Sequence, residues 1–296
     1  MLTQILLNSI IAALLLSLVA IGFNLIFNAT KVFHLAHGAM YVSAVYATVM
    51  FNNLLRPILP YPIITISSII LSLLSISLLI VFIEFLVYRP LYKKGVNPTI
   101  SMISSLGIYL LIINIIAFFF GNESVTLNNS YTIIASNEYY KLTNVELMHL
   151  AISLVLLSVV FILSKSKFHT YIRAITDDYS VAEKFGINVQ RTRFIALVAG
   201  TVLVGAVGIM RAHEVAIDPS VGLTITLAAA VAVIVGGVRS LAGTVLACFI
   251  IALIENYSVK ILTAQWKDML MYVLMIAVLL FYQQGLVSVR QRVEGR

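Results

Sequence analysis

Apolar runs of about 20 residues follow one another along this chain almost without interruption, each long enough to cross a bilayer as a helix. In lipid every backbone N–H and C=O must find its partner within the protein, so runs of this kind fold as helices packed on helices. Mean hydropathy is +1.04 and 10% of residues are charged, far from soluble globular usage. Membrane segments are predicted over 4–27, 37–55, 62–87, 99–120, 146–164, 192–211, 223–237, 241–259 and 268–285. The seventh is short, and the second and seventh could be broken or re-entrant, so eight and nine crossings are both open. The expected fold is an all-α polytopic bundle, one transmembrane domain over 1–296. No basic stretch precedes the first run, so no cleavable signal peptide is expected. A lone cysteine, Cys248, excludes an internal disulfide and a cysteine metal cluster.

The net charge of +7 reads through topology, not as a nucleic-acid signal, because its basic residues are scattered over loops. One set of loops holds Lys31, Arg89, Lys93, Lys94, Lys165, Lys167, Arg173, Lys184, Arg191, Arg193, Arg239, Arg290, Arg292 and Arg296, which makes 14. The other holds Arg56, Lys141, Arg211, Lys260 and Lys267, which makes 5. The richer side is expected to be cytoplasmic, with the C-terminus inside a cell membrane and, for nine crossings, the N-terminus outside. Loop 121–145 then faces out; it mixes polar residues with a strand-like YTII and is expected to form a small cap.

Between two of the apolar runs lies a polar segment, 165–193, that must sit in water. Asp177 and Asp178 are N-cap candidates and Gly186 is a natural C-terminal stop. Val181, Ala182 and Phe185 fall at i, i+1 and i+4 and are expected to share one face of about two turns. A helix that short is marginal alone and needs a partner surface, either its own bundle or another protein.

The stretch RAITDDYSVAEKFGINVQRTR resembles the cytoplasmic coupling loop of ABC-importer permeases, above all the LivH-type permeases of branched-chain amino acid importers. The family's Ala and the Gly four residues later correspond to Ala182 and Gly186, followed by Ile187 and Asn188. Four more stretches are similar in order and spacing: VFHLAHGAMYVSAVY (32–46), YRPL (88–91) as a basic loop, GTVLVGAVGIM (200–210) and IVGGVRSLAGTVLACFIIALIE (234–255). Departures stand at His34, Arg239, Ala247, Cys248, Ser180 and Val181, and the exact substrate is left open.

The resemblance implies a permease subunit translocating branched-chain or other apolar amino acids inward, with no catalytic site and no cofactor of its own. It implies a second, LivM-like permease, two cytosolic ATPases that bind ATP, and an extracytoplasmic substrate-binding protein, in a lipid membrane and without nucleic acid. Asp178, Val181, Ala182, Phe185, Gly186 and Ile187 would couple to the ATPase. His37, Gly38, Gly236, Gly237, Ser240 and Gly243 would line the translocation path. A urea or short-amide importer is the nearest rival within the family.

Residue chemistry agrees. No G-x-x-x-x-G-K-[ST] occurs, so this chain has no P-loop for hydrolysing ATP. Gly200, Gly205 and Gly208 let helices approach closely, which reads first as packing. Gly236, Gly237 and Gly243 mark a break that is either at membrane depth or a simple turn, and Arg239 favours the turn. His34 and His37 lack carboxylate or cysteine company in sequence and are not expected to bind metal. Glu84 and Glu255 are expected near opposite membrane faces, as anchors. A stand-alone transporter or channel would need paired intramembrane charges and leave 165–193 without a purpose. An intramembrane enzyme would need polar groups converging at one depth.

Overall fold

The computed structural model describes residues 2–127, 132–137, 140–261 and 266–281. It is all-α apart from one small hairpin. Helices α1 (Leu2–Thr30), α2 (Ala36–Leu55), α3 (Tyr61–Ile83), α4 (Arg89–Lys93), α5 (Pro98–Phe120) and α6 (Asn144–Leu163) come first. Then follow α7 (Lys167–Asp177), α8 (Tyr179–Lys184), α9 (Val189–Ala212), α10 (Val221–Gly236), α11 (Leu241–Ile261) and α12 (Lys267–Phe281). Among the described residues six helical stretches are long and apolar enough to span a membrane: α1, α3 through α4, α5, α6, α9 and α11. The remaining expected segments correspond to α2, which is more polar, and to the shorter α10 and α12.

Helices α1, α2, α9 and α10 form the centre. Leu18, Phe23, Met40, Tyr41 and Val204 are buried there, whereas α3, α5 and α6 carry exposed residues such as Leu78, Phe118 and Ile162. Apolar side chains both inside and on the outer surface are what lipid as the outer solvent allows. Glycines set the central distances. A Cβ on Gly38 would overlap the Gly222 carbonyl, and one on Gly200 would lie 2.6 Å from the Gly22 carbonyl.

Both α2 and α10 begin inside the bundle. α1 stops at Lys31, which adopts φ 59°, and the next residues fold back so that His37 Nε2 lies 3.3 Å from the Val19 carbonyl, mid-way along α1. The freed backbone is satisfied by Ser105, whose hydroxyl accepts from the N–H of Leu35 at 2.7 Å. Residues 213–220 likewise lead α10 inward: the Tyr109 hydroxyl donates to the Ser220 carbonyl at 3.4 Å. Non-helical backbone survives at depth because it is buried in protein.

The third span is longer than its apolar run. Glu84–Tyr88 forms a π-helical turn that carries α3 into α4. Residues 88–91, expected as a loop, are therefore a helical extension. The 121–145 stretch contains the antiparallel pair β1 (Ile133–Ser136) and β2 (Lys141–Thr143), plus a bridge from Val125 to Ile217.

The two sets of basic loops occupy opposite ends. At one end Arg193 stacks over Tyr92, its Nε donates to the Ala29 carbonyl, and Arg239 pairs with Asp177. At the other, Arg56 and His213 line one cavity, and the Lys141 N–H donates to Gln4. Arg290, Arg292 and Arg296, and with them the position of the C-terminus, lie outside the described residues.

Candidate functional site

The polar segment builds two helices, not one. α7 was hidden in the sequence reading, yet Phe168, Ile172 and Ile175 recur at helical spacing. Ile172 packs against Ala29 and Ala196, so α7 lies flat across the ends of α1 and α9. At its end the chain breaks at Asp178, whose side chain accepts from the N–H of Ser180 at 2.8 Å and of Val181 at 3.0 Å. That cap starts α8 and holds the Asp178 carboxyl below the usual carboxylate range, first through the Val181 N–H and then the Ser180 hydroxyl. α8 ends in a closed Schellman motif: Gly186 takes φ 79°, its N–H donates to Glu183, and the Ile187 N–H donates to Ala182. Asn188 then caps α9 by accepting from Arg191 N–H at 2.9 Å.

The expected common face of Val181, Ala182 and Phe185 splits. Ala182 turns inward onto Ile175 and Val189, with Ile187 half-buried beside it. Val181 is 44% exposed and Phe185 82% exposed, and both point away from the bundle. Adjacent helical residues differ by about 100°, so one anchor and two outward groups fit a single short helix. A phenylalanine so exposed at the C-cap of a six-residue helix is a knob without a hole among the described residues.

Polar contacts tie this platform to the core. Asp177 Oδ1 and Arg239 NH1 are 2.9 Å apart. The Thr176 hydroxyl lies 2.8 Å from the Ile172 carbonyl and 3.0 Å from that of Asn28. Asn28 Nδ2 donates to Asn24 Oδ1 at 2.7 Å, and both asparagines donate to the Val238 carbonyl at 2.9 Å. Val238 sits in the turn from α10 to α11, where Gly237 takes φ 94° and Ser240 Oγ accepts from the Gly243 N–H at 2.9 Å. Asn24 and Asn28 were missed in the sequence. Their signal is two amides four residues apart within the apolar run of α1, away from its exposed end where Gln4 and Asn8 repeat the spacing.

The residues assigned to a path fall into two separate places. His37 and Gly38 are buried at the α2 start, where Gly38 touches Gly222 near the beginning of α10. Gly236, Gly237, Ser240 and Gly243 form the turn at its other end, as Arg239 indicated, and Gly236 packs on the Gly243 backbone. Gly222 and Gly236 are separated by about 21 Å of helix. A cavity of about 200 Å³ lies elsewhere, among α1, α2, α9, α10 and α11. Its walls include Leu16, Val19, Tyr41 and Ile225, with Arg211 and Glu255 also on the lining. Glu84 borders a cavity with Arg89 and Arg193 at the α7–α8 end, so the two acids lie in separate cavities on different parts of the bundle.

A bundle whose outer helices expose apolar side chains, with glycine-packed breaks inside it and a tethered helical platform at one end, has the build of a multi-pass membrane protein. Comparison with known proteins makes this specific. The chain belongs to the family described as branched-chain amino acid transport system / permease component, whose model matches residues 5–279. It is similar to the high-affinity branched-chain amino acid transport system permease protein LivH of Salmonella typhimurium, at 24% identity over 92% of this chain and 91% of that one. It is also similar to the probable branched-chain amino acid transport permease protein LivH of Methanocaldococcus jannaschii, at 26% identity over 97% of this chain and 92% of that one. BraD, the corresponding high-affinity permease protein of Pseudomonas aeruginosa, is 23% identical over 96% of this chain and 95% of that one. Among solved structures, PsaBC from Streptococcus pneumoniae in complex with Fab aligns at 13% identity over 92% of this chain and 90% of that chain, with a TM-score of 0.47, too loose to carry a fold argument.

Proposed function

We propose that this permease carries branched-chain or other apolar amino acids inward, driven by ATPases that grip α8. The observation that carries the coupling role is Phe185, exposed on a helix whose base is locked to α1 and to the α10–α11 turn. An aromatic knob on a rigid mount is the usual centre of a docking interface. Val181 flanks it; Asp178, Ala182, Gly186 and Ile187 hold the helix in place. The relatives' names support branched-chain amino acids over urea or short amides as cargo.

In this reading a second, LivM-like permease completes the path and an extracytoplasmic binding protein delivers substrate at the end that carries loop 121–145. The nine helical passages α1, α2, α3–α4, α5, α6, α9, α10, α11 and α12 put the C-terminus on the ATPase side, in the cytoplasm. The cavity around Tyr41 and Ile225 is this chain's share of the path, since its mainly aliphatic walls suit an aliphatic side chain. His37 and Gly38 act as a close-packed hinge beside it, next to Val19, and Gly236, Gly237, Ser240 and Gly243 as a second hinge at the far end of α10. ATP-driven closure moves α7 and α8 as one body. Because Asp177, Thr176 and Asn28 connect them to the α10–α11 turn, that motion reaches the helices lining the cavity. The energy lies in the different affinity of the ATPases for the two permease states.

The decisive experiment is affinity purification of the tagged chain from its own membrane. A P-loop ATPase and a second permease that co-purify, with the ATPase lost in Phe185→Asp, are the expected result. A wild-type chain that purifies alone, monodisperse and able to transport, overturns the proposal.

A further inference from the structure

The π-helical turn Glu84–Tyr88 has a consequence for the surface around it. It shifts the register between α3 and α4, so that Glu84, Phe85 and Arg89 all border one cavity of about 240 Å³. Turns of this kind inside helices occur frequently at functional sites. The opposite wall is the first turn of α9, with Gln190, Arg191 and Arg193. Three guanidinium groups thus converge on a space that contains a single carboxylate.

Each arginine is held differently. Arg193 donates from Nε to the Ala29 carbonyl at 3.1 Å and is sandwiched by Tyr92 at 4.5 Å and Tyr179 at 4.8 Å. Arg89 lies 5.2 Å over the Phe85 ring. Arg191 is exposed at the rim. Glu84 is buried, and the charges that face it are those of Arg193 and Arg89. One acid against three bases leaves the cavity with an excess of two positive charges. The positive end of the α9 dipole adds to that field.

The cavity also borders the apolar surface. Glu84, Phe85 and Arg89 belong to the candidate span 63–93, and Phe85 and Leu86 on the same turn are 53% and 64% exposed. An occupant must therefore satisfy guanidinium groups at one end and lie along hydrocarbon-facing side chains at the other. We propose that this cavity binds an anionic membrane phospholipid, with its phosphodiester held by Arg89, Arg191 and Arg193 and its acyl chains lying against Phe85 and Leu86. Arginine suits phosphate because its planar fork presents paired donors to two oxygens. Tyr179 at the start of α8 stacks on Arg193, so an occupant of the cavity is linked through that arginine to the platform.

The test is native mass spectrometry of the full-length chain, purified with whatever subunits accompany it, with phosphatidylglycerol or phosphatidylcholine of identical acyl chains added. Selective retention of phosphatidylglycerol is expected, weakened about tenfold in R89Q/R191Q and restored in R89K/R191K. Equal retention of the two lipids by the wild-type protein overturns the proposal without recourse to any variant. Unchanged phosphatidylglycerol retention in R89Q/R191Q also overturns it, because the lipid then sits elsewhere. Displacement by millimolar inorganic phosphate assigns the cavity to a free anion. Loss of the lipid when ATPase subunits are bound assigns it to the protein interface. Either of those results overturns the assignment of a lipid as the resident occupant.

Discussion

Asp177 and Arg239 meet at 2.9 Å, joining the last residue of α7 to the turn between α10 and α11. Neither belongs to a membrane span, and 39% and 63% of the Arg239 and Asp177 side chains are exposed. A pair so accessible is screened and contributes at most about 1 kcal/mol to stability. In the coupling proposed above, its role is mechanical linkage between a surface platform and the helices around the central cavity. Arg239→Asp should therefore leave insertion and ATPase binding intact and lower transport about fivefold, the size of a 1 kcal/mol coupling. The exchange D177R/R239D should recover most of it. Uptake in vesicles, measured beside subunit recovery, checks this; a double variant no better than R239D removes the linkage.

Phe185→Asp places a charge on the outward knob of α8. An aromatic hot spot is worth about 2 kcal/mol or more, so ATPase affinity should fall at least about 30-fold while the permease stays folded. Phe185→Leu should lose much less, and Ala182→Asp should instead melt α8 by burying a charge against Ile175 and Val189. Pull-down yield compared with detergent thermal stability separates the two failures.

Gly38→Ala should not be tolerated, because its methyl would overlap the Gly222 carbonyl, backbone against backbone. A cost of about 3 kcal/mol or more is expected. Gly107→Ala, with nothing within 4 Å of the added methyl, should stabilise α5 by about 0.5–1 kcal/mol. Melting temperatures of the two purified variants should move in opposite directions.

Asp178 gives α8 a predictable acid response. Its carboxyl is held below the usual carboxylate range by the Val181 N–H and the Ser180 hydroxyl and N–H. A depressed folded pKa contributes stability that is present above the unfolded pKa and lost as pH falls through the folded one. The cap should be insensitive between neutrality and pH 5 and should fail only below about pH 4. Hydrogen exchange at Val181 and Ala182 should rise there in the wild-type chain, and should be high and pH-independent in Asp178→Ala once the intrinsic rate is divided out.

A cysteine at Ser180, introduced with Cys248→Ala, should react with an impermeant maleimide only from the cytoplasmic side. Labelling from outside intact cells would invert the orientation derived from the Lys and Arg count.

Local features proved the most legible. Asp178 and Gly186 announced a capped helix because each satisfies its own orphaned backbone groups within a few residues. The direction of Ala182 was not legible, since only the positions of Ile175 and Val189 decide which side of α8 is inward. Arg239 pointed correctly to a turn, because a guanidinium is costly at membrane depth; its partner Asp177 is too distant in sequence to be inferred. The π turn left no trace either: an apolar run reads the same whether its helix is α or π.

Continuous apolar runs of about 20 residues by themselves determined that this chain is a helical bundle in lipid, because the other arrangement that satisfies every backbone group there, a closed barrel, is built from alternating strands of about ten residues. They also determined which segments must stay in water, and local capping chemistry determined where α8 begins and ends. The tertiary structure alone decided that α2 and α10 start inside the bundle, that Asn24 and Asn28 meet Val238, and that three arginines share a cavity with Glu84. Those depend on the close approach of distant helices, set by glycine surfaces whose partners composition and periodicity do not name.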